Sequence, residues 1–136
     1  MEYKFTCDNK EYILTHDNCE GIFFENDEDI KGITLDIILK ALNDGEEVSF
    51  TNEYYSGQCS CGTQEKLGKY YRYLEYHFYI YTRDNQYVIN TLCKEYENTS
   101  FSKLYSIGKV DKSHIVNVTV CPDCGTYSIE IEECEV

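Results

Sequence analysis

The sequence predicts an α+β fold: a mainly antiparallel sheet, one or two short helices, and a clip made by four cysteines. Three observations carry this. Apolar, β-branched and tyrosine side chains alternate along much of the 136-residue chain, which is the period of half-buried strands. Only two short stretches repeat with helical spacing, and no regular βαβ rhythm links them. Two close cysteine pairs, Cys59/Cys61 and Cys121/Cys124, are each followed by glycine and threonine. They point to one tetrahedral metal site closed by two chain segments. Length and the absence of repeats or low-complexity linkers predict one domain over 1–136, with knuckles at 59–62 and 121–125.

The elements follow in order. Residues 2–7 and 11–16 alternate around Asp8-Asn9-Lys10 and predict a hairpin. Ile22–Phe24 is a short apolar strand, and 25–29 is an acidic loop. Asp27 and Asp29 invite a calcium reading, but the twelfth position from Asp27 is Ile38, where an EF-hand loop needs glutamate. A solvated loop is the better reading. Leu35–Asn43 is the best helix: Leu35, Ile38, Leu39 and Leu42 form one apolar stripe. Thr34 caps its start, Asp36 sits in its first turn and Gly45 suits its end. Val48–Phe50 reads as a strand leading towards the first cysteine pair.

Lys69–Thr82 is a long strand. Leu74, Tyr76, Phe78 and Ile80 mark one face; Tyr71, Tyr73, Glu75, His77, Tyr79 and Tyr81 mark the other. A turn at 83–86 returns the chain through Tyr87–Leu92. A second short helix is predicted over Phe101–Ile107, capped by Ser100 and ended by Gly108. The last hairpin runs in through Val116, Val118 and Val120 and out through Tyr127, Ile129 and Ile131. Its acidic end, Glu130–Glu135, reads as a solvated strand face and tail.

A metal knuckle needs a tight turn that aims two sulfurs at one point. In Cys121-Pro122-Asp123-Cys124-Gly125 the proline stiffens the turn and the glycine tolerates positive φ. This segment resembles the knuckles of zinc ribbons and rubredoxin-like proteins. The resemblance implies that Cys121 and Cys124 are metal ligands, with Cys59 and Cys61 supplying the other two. The chain departs from that pattern in Cys59-Ser60-Cys61-Gly62, which has one intervening residue and no proline, and in the long stretch between the pairs. The resemblance therefore covers two short segments, and the rest is a larger α+β domain clipped by the metal. The whole chain is also similar to small, tyrosine-rich bacterial protein families with no assigned activity.

Four thiolates favour Zn²⁺, with iron as the alternative. A closed four-thiolate site leaves no position for water or substrate, so it reads as structural. The competing reading is redox, because Cys121-Pro122-Asp123-Cys124 has the spacing of a thioredoxin-like dithiol. Such a dithiol opens a helix that lowers the thiol pKa, and the residues after Cys124 alternate like a strand. Cys7, Cys19, Cys93 and Cys134 are left over at irregular spacing. Cys7 continues the alternation of Tyr3 and Phe5 and reads as a small buried hydrophobe.

With 12 basic and 25 acidic side chains the net charge is −13. This argues against nucleic acid, which needs a basic stripe; Lys66, Lys69 and Arg72 are the only modest basic cluster. An acidic surface favours a basic protein partner. Met1–Thr6 carries no basic stretch followed by an apolar run, and no segment is long and apolar enough for a membrane span. The expectation is a cytoplasmic chain with reduced thiols, where metal binding outranks disulfides.

Fourteen tyrosines and no tryptophan reflect strand preference first and a contact face for a partner second. No phosphate-binding loop, nucleophile elbow or metalloprotease motif is present. His16, His77 and His114 lie far apart; His77 beside Glu75 could make an acid/base pair, but a solvent-exposed pair with no catalytic role is the commoner case, and four better-placed thiols make His114 unnecessary as a substitute metal ligand. The reading favours a non-enzymatic protein-interaction or regulatory module. A thiol redox enzyme or zinc switch is the second hypothesis and a nucleic-acid-associated zinc ribbon the third.

Overall fold

In the computed structural model, which describes residues 1–25 and 30–134, the first turn is made by two residues that tolerate left-handed backbone. Asp8 (φ 51°) and Asn9 (φ 65°) join β1 (Tyr3–Cys7) to β2 (Lys10–Leu14), in keeping with the strand twist. Asp27, Asp29 and Glu135, named above as parts of acidic segments, lie outside the described residues. The hairpin is a two-stranded sheet of its own. Its inner face packs on the core, with Phe5 stacked on Phe50 at 4.1 Å between ring centroids.

β3 (Cys19–Phe24) precedes α1 (Leu35–Asp44). Thr34 Oγ1 accepts the Ile37 N–H at 3.3 Å, the expected N-cap. Ile38, Leu39, Ala41 and Leu42 are buried, so the helical stripe packs inward as its spacing predicts. Gly45 ends the helix for a different reason from the one its type suggests. Its φ is −68°, open to any residue. A Cβ there would stand 2.6 Å from Val48 Cγ2 and 3.2 Å from Leu92 Cδ2. Gly45→Ala is therefore expected to lose about 1–3 kcal/mol through overpacking, read by urea titration.

The strand expected at Val48–Phe50 begins later, as β4 (Thr51–Tyr55). Phe50 is drawn inward to stack on Phe5 and lies 5.7 Å from the Tyr76 ring, so it packs under the sheet and pairs with no strand. β5 (Lys66–Leu67) and β6 (Tyr70–Arg83) follow. A turn at Asp84 and Asn85, both at positive φ, leads to β7 (Gln86–Asn90). After a 3₁₀ turn at Lys94–Tyr96 comes α2 (Phe101–Ser106), with Ser100 Oγ accepting the Lys103 N–H at 3.2 Å. Lys109 N–H donates to the Leu104 carbonyl and Gly108 N–H to the Tyr105 carbonyl, which is the Schellman stop. β8 (Lys112–Val120) and β9 (Tyr127–Glu133) follow.

The large sheet has the order β3-β9-β8-β6-β4, with β5 and β7 also paired to β6. All pairings are antiparallel except β3 with β9. β6 runs along β8 from Leu74 opposite Val120 to Thr82 opposite Lys112. One face of these strands is the core: Leu74, Phe78 and Ile80, then Val116, Val118 and Val120, then Tyr127, Ile129 and Ile131 are all buried. Each such aliphatic contributes about 1.5–3 kcal/mol relative to exposure. α1 and the β1–β2 hairpin join the same apolar cluster.

The other face is covered only in part. Tyr81 packs with Leu104 and Val110, supported by Ile89, Tyr96 and Phe101. The tyrosine stripe is thus divided: Tyr81 is buried beneath α2, while Tyr79 is exposed and Tyr71 and Tyr73 are half-buried. No helix among the described residues is long and apolar enough to cross a membrane.

Candidate metal centre

Two loops meet at one end of the large sheet. The first joins β4 to β5. Tyr73 on β6 donates its hydroxyl to the Gly57 carbonyl at 2.7 Å and so ties the loop to the sheet. Gln64, buried, accepts the Cys59 N–H at 2.7 Å and donates to the Arg72 carbonyl at 2.9 Å. The second loop joins β8 to β9, whose last paired residues are Val120 and Tyr127. Cys121 N–H donates to the Thr126 carbonyl, and Gly125 N–H returns to the Cys121 carbonyl, both at 2.9 Å. Gly62 (φ +70°) and Gly125 (φ +78°) supply the left-handed backbone that each turn needs.

The β1–β2 hairpin supports the second loop. Tyr12 Oη donates to the Pro122 carbonyl at 3.1 Å and Lys10 Nζ to the same oxygen at 2.7 Å. Asn18 Nδ2 donates to the Gly125 carbonyl at 3.1 Å.

These supports bring the four sulfurs of Cys59, Cys61, Cys121 and Cys124 within 4.8 Å of one another. Cys59 Sγ lies 3.6 Å from Cys124 Sγ, and Cys61 Sγ 3.7 Å from Cys121 Sγ. A tetrahedron with metal–sulfur bonds of about 2.3 Å has edges of about 3.8 Å. All eight cysteines are free, and these separations far exceed a disulfide bond. Each close contact joins one loop to the other, so an ion held here would bind the two segments together.

The threonine after each glycine has a role. Thr126 Oγ1 lies 3.0 Å from Cys124 Sγ and 3.8 Å from Cys59 Sγ, and Thr63 Oγ1 lies 3.3 Å from Cys61 Sγ. Hydrogen bonds from the Thr63 side chain and backbone pull the Cys61 thiol down to about 6. Burial pushes the Cys59 and Cys121 thiols up. A set of thiols that includes buried members ionises together only when a cation compensates the charge.

All four predicted ligands therefore come together, and the other candidates do not join them. Cys7, Cys19, Cys93 and Cys134 form no metal-holding group among the described residues. Cys7 and Cys19 are half-buried against the apolar core, so Cys7 is less enclosed than its alternation suggests. His114 is buried near the far end of β8 from Cys121, opposite Glu133. His77 is exposed and sits edge-on to Tyr79. Glu75 instead accepts from Tyr55 and Thr119, whose strands flank it, so the Glu75–His77 pair does not form. His16 bonds Asp36 at 2.6 Å on the surface. Of the small basic cluster, Arg72 is engaged by Asn52 and Asp8.

Gln64, Tyr12, Lys10 and Asn18 were missed by sequence reasoning. The paired Gly-Thr endings were a visible signal for the threonines; Gln64 carried none, because its bridge from the Cys59 N–H to the Arg72 carbonyl exists only once the loop folds back on β6.

A family model described as "Protein of unknown function (DUF3785)" matches residues 3–136. No curated protein and no solved structure matches the chain.

Proposed function

We propose, for a chain that belongs to the DUF3785 family of proteins of unknown function, a zinc-clipped α+β domain over 1–136 that acts by protein–protein contact. The observation behind the clip is the meeting of four sulfurs from two loops within 4.8 Å. Cys59, Cys61, Cys121 and Cys124 fill a tetrahedral shell, so the metal has a structural role and the binding energy is folding energy. Zinc is favoured over iron as the commoner occupant of small structural thiolate sites. The acidic chain, at −13, and the tyrosines of the open sheet face support a basic protein as partner. A cytoplasmic setting fits thiols kept reduced for metal binding.

Cobalt substitution tests the ligand set. Four-thiolate tetrahedral Co²⁺ gives intense visible absorption, which zinc should displace at one equivalent per chain. Weak absorption typical of octahedral oxygen ligation would contradict the site. A second expectation concerns Gln64. Gln64→Ala leaves the Cys59 N–H without its acceptor and should weaken metal affinity about tenfold, read by competition with a coloured chelator.

Redox chemistry at Cys121 and Cys124 has less support. The chain after Cys124 enters β9, so no helix N-terminus activates either thiol. The close sulfur contacts also run between the two loops, not within the C-x-x-C segment.

A further inference from the structure

Beside the cysteine cluster the open face of the sheet is hollowed into a trough of about 480 Å³. Its floor comes from the outward positions of β6, β8 and β9, and its walls from Tyr55 on β4 and the loop before Cys59. The same sheet face is sealed at its other end by α2 over Tyr81. Here it is left open, and its charged lining residues are Glu20, Glu75 and Glu130, with no lysine or arginine among them.

No cation among the described residues pairs with these carboxylates, as is true of most acidic groups on the chain. Glu75 is held in place at mid-sheet. It accepts from the Tyr55 hydroxyl and, at 3.2 Å, from Thr119 Oγ1. A carboxylate fixed in this way is preorganised for a cation. Tyr55 and Tyr73 stand beside it with ring centroids 5.8 Å apart at 65°, offering aromatic faces on which a guanidinium or ammonium group is stabilised. Burial, the hydrogen bond to Glu75 and the charges of Glu75, Glu53 and Glu130 all raise the Tyr55 hydroxyl. This accords with a negative field in the trough. The volume admits more than one long side chain, which a lone metal ion would not use.

We infer that this trough, walled by Tyr55 and Tyr73 and floored by Glu75 and Glu130, binds an arginine- or lysine-bearing segment of a basic protein partner. The inference rests on the interaction reading proposed above and names the surface and the chemistry it recognises. Basic side chains enter between the carboxylates and stack against the tyrosines. The adjacent four-thiolate site, loaded with a dication, adds negative charge at the same end.

The test uses metal-loaded, isotope-labelled protein and a blocked hexapeptide, Gly-Arg-Gly-Arg-Gly-Arg. Amide shifts on titration should be confined to Tyr73, Glu75, Thr119 and their neighbours. Glu75→Gln combined with Glu130→Gln should weaken binding about tenfold. Glu46→Gln combined with Glu47→Gln removes equal charge beyond α1 and should change it less than about twofold. Equal weakening by both pairs would reduce the effect to net charge and overturn the inference. So would shifts on another face, or spermine binding as tightly as the peptide. Metal content is measured on the same samples. A protein that keeps its metal but shows no localised shifts refutes the trough and leaves the clip standing. Loss of the metal in wild-type protein refutes the clip itself. The wild-type map does not depend on any variant folding.

Discussion

Cys121→Ser should abolish stoichiometric metal binding and remove about 3–5 kcal/mol of stability. At this chain length that is roughly 10–20 °C in melting temperature. Cys121 is the most consequential of the four because it is buried and directly follows Val120, the last paired residue of β8. Serine there cannot ligate as a thiolate does, and it leaves a hydroxyl where a sulfur met Cys61 at 3.7 Å. A strong chelator should lower the wild-type transition by a similar amount and leave the variant unchanged. That comparison separates loss of the metal from a packing defect. A variant with unaltered melting temperature and metal content would contradict a structural clip.

Leu74→Ala should cost about 2–5 kcal/mol, measured by urea titration of the metal-loaded protein. Leu74 is fully buried and lies opposite Val120, with Tyr127 opposite Val120 in turn. Truncation opens a cavity where the core meets the strand ends that carry the second loop. The matched control is Leu67→Ala. Leu67 sits in the short β5 and is 47% exposed, so its loss should fall within about 0.5 kcal/mol. Similar costs for both would mean that the sheet face bearing Leu74 is not the core.

Local chemistry was the legible part of this sequence. Thr34 and Ser100 cap their helices because a hydroxyl at that position has a free N–H to bond. Asp8-Asn9 and Asp84-Asn85 turn their hairpins because both types tolerate positive φ. The four clustered cysteines were readable because two close pairs carry their own geometry. Relations between distant segments were not. Nothing in Cys19–Phe24 announces that it pairs parallel to β9, or that the first hairpin stays out of the large sheet. Gly45 looked like a conformational stop, but its reason is the close approach of Val48, where the chain turns back, and of Leu92 from a distant segment. Phe50 belongs to the core and not to a strand because of Phe5, a partner its own neighbours do not reveal. Tyr81 alternates with Tyr79 like a surface residue, yet α2 comes to cover it.

Those same long-range relations build the candidate site. Gln64 and Tyr73 fasten the first loop to β6, and Tyr12 and Lys10 fasten the second to the hairpin. The loops therefore arrive already aligned, and the metal joins two supported segments instead of ordering free ones. This predicts a modest entropic cost of binding and a site sensitive to changes in the supporting residues.

Elemental analysis of the purified protein, with metal stoichiometry and a free-thiol count before and after denaturation with chelator, tests the central claim most directly. One zinc per chain, with four thiols protected until the metal is removed, is the predicted result. Metal-free protein that readily forms a Cys121–Cys124 disulfide would contradict it and make thiol redox chemistry the leading account.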